Sequence, residues 1–110
     1  MANNKLYKGS LTTIILKLLK EQERMYGYEI TQKVKELTSG ELVITEGALY
    51  PALHKLEGEG LLTVSYQKVN NRTRKYYSLT QKGKEETINK LKELEQFIQQ
   101  MQLIIQPKLI

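Results

Sequence analysis

"TEGALYPALHKLEGEG", residues 45–60, decides how the chain is read. Ala48, Leu49, Ala52, Leu53 and Leu56 fall on one side of a helix at about 100° per residue, and Thr45 stands in front of them as an N-cap. Ile44 and Leu49 flank that cap at the spacing of a hydrophobic staple. The stretch is expected to be a helix that frays at Gly58 and Gly60. Its composition is poor for that role: glycine costs a helix interior about 1 kcal/mol against alanine and proline about 3, so Gly47, Pro51 and Gly58 together lose on the order of 5 kcal/mol. A small domain has only ~5–15 kcal/mol in total. The weakening residues gather where the leucines do not. Gly47, Tyr50, Pro51, His54 and Gly58 share the opposite face, with Glu46, Lys55, Glu57 and Glu59 on its flanks.

The chain on either side supplies the context. Leu11, Ile14, Ile15, Leu18 and Leu19 follow the spacing of one helical stripe, with Ser10 as N-cap, and this helix is expected to end between Glu21 and Met25. A second begins around Tyr26 to Tyr28, buries Ile30, Val34 and Leu37, and stops at Thr38–Gly40. Residues 41–44, Glu-Leu-Val-Ile, are too few for a helix and are expected to form a short strand. Beyond the central helix, residues 62–66 alternate and residues 74–79 are rich in tyrosine and basic groups. Asn70 and Asn71 between them tolerate positive φ, which makes a β-hairpin with its tip at Lys68 to Arg72. Thr80 caps a last helix running to Pro107. There Thr87, Leu91, Leu94, Ile98, Met101 and Ile105 repeat as an a/d seam.

Helix, helix, short strand, helix, hairpin, long helix is the order of a winged helix-turn-helix domain over residues 1–79, followed by a dimerisation helix over 80–110. The fold class expected is mainly α with a small β-hairpin. A chain of 110 residues buries only a modest core alone, so a second copy is expected, joined through Ile88, Leu91, Leu94, Ile98, Met101 and Ile105.

Charge adds a direction. The net charge is +5, yet residues 41–60 carry four acids against one lysine, and residues 61–79 carry four cations and no acid. A nucleic-acid binder is expected to carry such a footprint, although a solvated basic face is its commoner cause; the winged-helix order makes double-stranded DNA the partner to test. Gly47 and Pro51 let the helix approach a major groove, Tyr50 and His54 reach base edges or phosphates, and Lys55 and Thr45 lie beside them. Glu46 could accept from a cytosine amino group, although complementing the helix dipole needs no partner and is the simpler reading. In the wing, Lys68, Arg72, Arg74 and Lys75 are the phosphate contacts, and eight of them in a dimer predict a salt slope of about −7. The same charges also keep an edge strand from aggregating.

Other functions find less support. With no cysteine, no aspartate and one histidine, the chain offers no thiolate metal site, no disulfide and no recognisable active site, so neither enzyme activity nor a cofactor is expected. No apolar run approaches a membrane span, and a cytoplasmic protein is expected. A winged-helix protein-interaction module that dimerises without binding DNA is the alternative, supported by the acidity of residues 41–60.

Three separated motifs, "YGYEI" at 26–30, "TEGALYPALHKLEGEGL" at 45–61 and "RTRKYYSLT" at 72–80 with Gly83 just beyond, resemble the PadR family of bacterial transcriptional regulators. The short tail resembles the smaller subfamily with a single C-terminal dimer helix. The resemblance implies a dimeric repressor on a pseudo-palindromic operator, released in many members by a small aromatic ligand. Reader-helix and wing roles then fall on Thr45, Gly47, Tyr50, Pro51, Lys55, Arg72, Arg74 and Lys75. One departure concerns the ligand: multidrug-binding members stack it on a tryptophan of the dimer helix, and this chain has no tryptophan.

Overall fold

The computed structural model describes residues 4–106. A short helix α1 (Asn4–Tyr7) and a 3-10 turn (Lys8–Ser10) lead into α2 (Leu11–Glu21). There follow β1 (Met25–Tyr26), α3 (Gly27–Leu37), α4 (Glu46–Gly58), β2 (Leu62–Val69), β3 (Arg72–Leu79) and α5 (Gln81–Ile105). The mainly helical winged-helix plan with its hairpin and long last helix is therefore present. Pro107, the expected end of α5, lies outside the described residues.

The core forms around α2, whose Leu11, Ile15, Leu16, Leu18 and Leu19 are buried against Ile30 and Val34 of α3, Leu49, Leu53 and Leu56 of α4, and Tyr77 of β3. Leu37, expected on the buried face of α3, is instead exposed, because α3 ends there and its last turn passes the edge of the core. Helix starts follow their caps. The Thr45 side chain accepts from the Ala48 N–H and Thr80 from the Gly83 N–H. Ser10 occupies the cap position of α2 but makes no such bond, because the 3-10 turn delivers the chain already coiled.

The third strand is not where it was expected. Residues 41–44 form no regular element and pair with no strand, since polar groups at their centre go to side chains: the Leu42 N–H donates to Thr38 Oγ1 at 3.0 Å, and the Val43 carbonyl accepts from the Tyr7 hydroxyl at 3.0 Å. Ile44 is buried beside the cap of α4. The third strand is Met25–Tyr26, lying on the free edge of β3 with Met25 opposite Tyr77 and Tyr26 opposite Tyr76, so the antiparallel order is β1-β3-β2. The hairpin is also longer than expected. Its strands reach Val69 and Arg72, which face each other, leaving a two-residue turn of Asn70 and Asn71 at φ 49° and 65°. Positive φ at both central residues is the requirement of a type I′ turn, whose twist matches that of the strands.

α5 divides into two halves. Its first turns belong to the domain core: Thr87 is fully buried and donates to the Gly83 carbonyl at 2.7 Å, and a Cβ at Gly83 would overlap the Leu61 carbonyl oxygen. The second half stands away from the domain. The Cα radius of gyration, 15.8 Å, exceeds the ~13 Å of a compact chain of this length. Among the described residues no helix is long and apolar enough to cross a membrane.

Candidate nucleic-acid interface

The two faces of α4 are separated as the spacing of its leucines requires. Leu49, Leu53 and Leu56 are buried, Ala48 and Ala52 half-buried, and Glu46, Gly47, Tyr50, Pro51, His54, Lys55, Glu57 and Gly58 exposed. Thr45 is exposed at the cap. Gly47 and Gly58 have helical φ and nothing within 4 Å of where a Cβ would stand, so no packing inside the described residues calls for glycine at either position. Pro51 lacks the N–H that would pair with the Gly47 carbonyl one turn earlier. Tyr50 is not free on that face: its hydroxyl leans on Gly27 at the start of α3, where a Cβ would lie 2.6 Å away. Lys55 sits on the flank and lines a recess with Lys82, Lys90, Glu59 and Glu86.

Alternation sorts the wing into two sides. Leu62, Val64, Tyr66 and Lys68 share one with Leu79, Tyr77, Lys75 and Thr73, while Ser65, Gln67 and Val69 share the other with Tyr76, Arg74 and Arg72. Tyr77 packs within the domain, Tyr76 is half-buried, and Tyr66 is 67% exposed because its strand has by then passed the edge of the core.

The four basic residues differ in the same way. Lys68 and Arg72 are exposed beside the turn and form no ion pair among the described residues. Arg74 is half-buried with its guanidinium 4.1 Å from the centre of the Tyr26 ring, and Lys75 is half-buried with its ammonium 5.3 Å from the Tyr77 ring. A hydrogen bond with the Tyr76 hydroxyl raises Arg74 above its ordinary value despite some burial. For Lys75 burial pushes downward, but the Tyr77 hydroxyl and the negative charge of Glu57 outweigh it and leave the ammonium raised. Both groups are therefore firmly cationic near neutral pH.

Arg24, Tyr26 and Gly27 also border this surface, and helical spacing gave no sign of it. Arg24 and Tyr26 lie more than forty residues from their partners in the wing, contacts that exist only once β1 pairs with β3, and Gly27 meets Tyr50 of α4.

The second surface is the outer part of α5. Leu91 and Leu94 are half-buried and border an apolar groove of about 300 Å³ shared with Ile14, Leu18, Val34 and Leu37. Ile88, Phe97, Ile98 and Ile105 are exposed, at 49, 53, 47 and 76%, and Met101 is half-buried. Residues 96–107 contain no charged side chain. Thr87, which opens the expected seam, is taken up by the domain's own core.

A helix with one buried leucine face and one exposed face, an antiparallel hairpin beside it and a helical core behind define a winged helix-turn-helix protein. Residues 15–89 match the model of the transcriptional regulator PadR-like family, and the chain belongs to that family. A transcriptional regulator from Clostridium thermocellum, Cth-833, superposes with a TM-score of 0.85 at 30% identity, over 96% of this chain and 100% of that one. A PadR-like transcriptional regulator from Bacillus cereus gives 0.78 at 28%, over 94% and 99%. The uncharacterized protein X of Lysinibacillus sphaericus is 36% identical over 85 residues, 76% of this chain and 77% of its own length. The transcriptional regulator Rv3488 of Mycobacterium tuberculosis is 37% identical over 60 residues, 54% and 53% of the two chains.

Proposed function

We propose that the chain is a homodimeric, sequence-specific repressor in the cytoplasm that acts by binding double-stranded DNA, without catalysis or a cofactor. Residues 1–79 make the DNA contacts and residues 80–110 the dimer. Each subunit sets the exposed face of α4 in the major groove and the tip of the wing on the adjacent backbone, so the operator is pseudo-palindromic. The observation that carries this reading is Gly47: a destabilising residue, exposed, with open space around it and no internal reason for its size. A small aromatic ligand that settles in the apolar groove beside Leu91 and Leu94 would release the operator by changing how the two subunits meet.

Selection from random duplexes tests the reading. The expected product is an inverted repeat with half-sites about 10 bp apart or a multiple of that. No enrichment at 0.15 M salt would favour the protein-interaction module instead.

A substitution separates folding from recognition. Gly47→Ala restores about 1 kcal/mol of helix stability, which raises Tm by roughly 4–8 °C, while the added methyl holds the helix off the groove. Affinity for the selected duplex is expected to fall by about tenfold, the equivalent of losing one good contact. Higher Tm with unchanged affinity would remove α4 from the interface.

A further inference from the structure

We propose that Arg24–Glu29 is a positioning segment that holds the wing and the outward face of α4 at one fixed spacing. Its consequence rests on the DNA-binding reading above; its mechanism rests on contacts within the free protein. Those contacts come from four of its six residues, Arg24, Tyr26, Gly27 and Glu29.

Toward the wing, two cations and two rings interleave on one side of the sheet. The Arg24 guanidinium lies 4.3 Å from the centre of the Tyr76 ring, Tyr26 and Tyr76 meet edge to face at 5.6 Å, and Arg74 lies 4.1 Å from the Tyr26 ring. Arg24 Nη2 also donates to Gln67 Oε1 at 2.5 Å, so it reaches past β3 to the outermost strand. Toward the reader helix, Gly27 leaves the space that the Tyr50 hydroxyl occupies. Between these, Glu29 Oε1 accepts the Tyr26 N–H at 3.1 Å and fixes the corner where β1 becomes α3.

A hairpin projecting beyond its core is weakly held, and cation–ring and ring–ring contacts on one face stiffen it. Base readout requires the α4 face and the wing to be in place together, whereas phosphate attraction requires only that the cations be present. Loosening the segment therefore lowers affinity for the preferred sequence and spares attraction to any duplex. A merely structural residue would lower both through Tm.

The test uses the full-length chain with Tyr26→Ala, Tyr26→Phe, Arg24→Gln and Gly27→Ala. Amide exchange of residues 66–76 is followed in the free protein. Affinity is compared between a duplex selected by the unaltered chain and a scrambled duplex of equal length. Tyr26→Ala is expected to speed wing exchange and to lower the affinity ratio, each by about tenfold, with α2 exchange and salt slope unchanged. Arg24→Gln, on an exposed side chain, gives a smaller shift of the same kind. Tyr26→Phe keeps the ring and restores both values. Gly27→Ala displaces Tyr50 alone and lowers the ratio without quickening the wing.

Unchanged wing exchange in both Tyr26→Ala and Arg24→Gln overturns the proposal, and so does faster exchange with an unchanged ratio. An unaltered chain that prefers no duplex sinks the DNA-binding reading separately. In that event wing exchange alone decides whether the segment holds the hairpin.

Discussion

Replacing Lys68 and Arg72 together by alanine is expected to flatten the salt dependence of DNA binding and to lower affinity most at low salt. Each phosphate contact contributes about 0.9 to the slope of log affinity against log salt, so two cations in each of two subunits account for roughly 3.6 of it. Between 50 and 200 mM salt the unaltered chain should then lose about two orders of magnitude more affinity than the variant. The effect belongs to these two residues because they are exposed beside the Asn70–Asn71 turn and pair with no carboxylate among the described residues. Arg74 and Lys75 lie against the rings of Tyr26 and Tyr77, and reaching a phosphate would cost them those contacts. The Arg74→Ala change should accordingly alter the slope less than Arg72→Ala. Titration of a labelled duplex at several salt concentrations checks this, and an unchanged slope in the double variant would remove the wing tip from the phosphate contacts.

That division among four basic residues was beyond the reach of the sequence. Composition shows that residues 61–79 are cationic without acid, and alternation shows a hairpin; neither shows which cations meet an aromatic ring, because the ring of Tyr26 arrives from another element. The short third strand was misplaced for a related reason. Residues 41–44, apolar after Glu41, and residues 25–26 are both brief, and what separates them is the partner: β3 offers a free edge to Met25–Tyr26, while Thr38 and Tyr7 occupy polar groups of Leu42 and Val43. Features governed by one helix or one turn were legible. The face of α4, its Thr45 cap and the Asn-Asn turn all depend on residues within a few positions of each other, where periodicity and backbone preference act directly.

The largest effect is expected from the outer half of α5. Ile98→Glu with Met101→Glu puts two charges per subunit into a stretch, residues 96–107, that has none. If this surface joins two copies, burial of four unpaired carboxylates is incompatible with it, and the chain should sediment as a monomer at concentrations where the unaltered chain is a dimer. The helical circular dichroism should persist, because the part of α5 that the domain itself needs lies earlier, at Gly83 and the fully buried Thr87. A helix serving only to cover its own core would have ended soon after Leu94. This one continues to Ile105 with Phe97, Ile98 and Ile105 exposed, and apolar surface of that extent on a small chain favours a shared interface. Linking two half-site readers raises affinity by about 10²–10⁴ over one alone, so the monomeric variant should lose that factor on the selected inverted repeat. On a single half-site the two proteins should bind alike. Equal loss on both duplexes would mean that the substitutions damage the winged-helix domain, and a variant that remains dimeric would move the interface away from Ile98 and Met101.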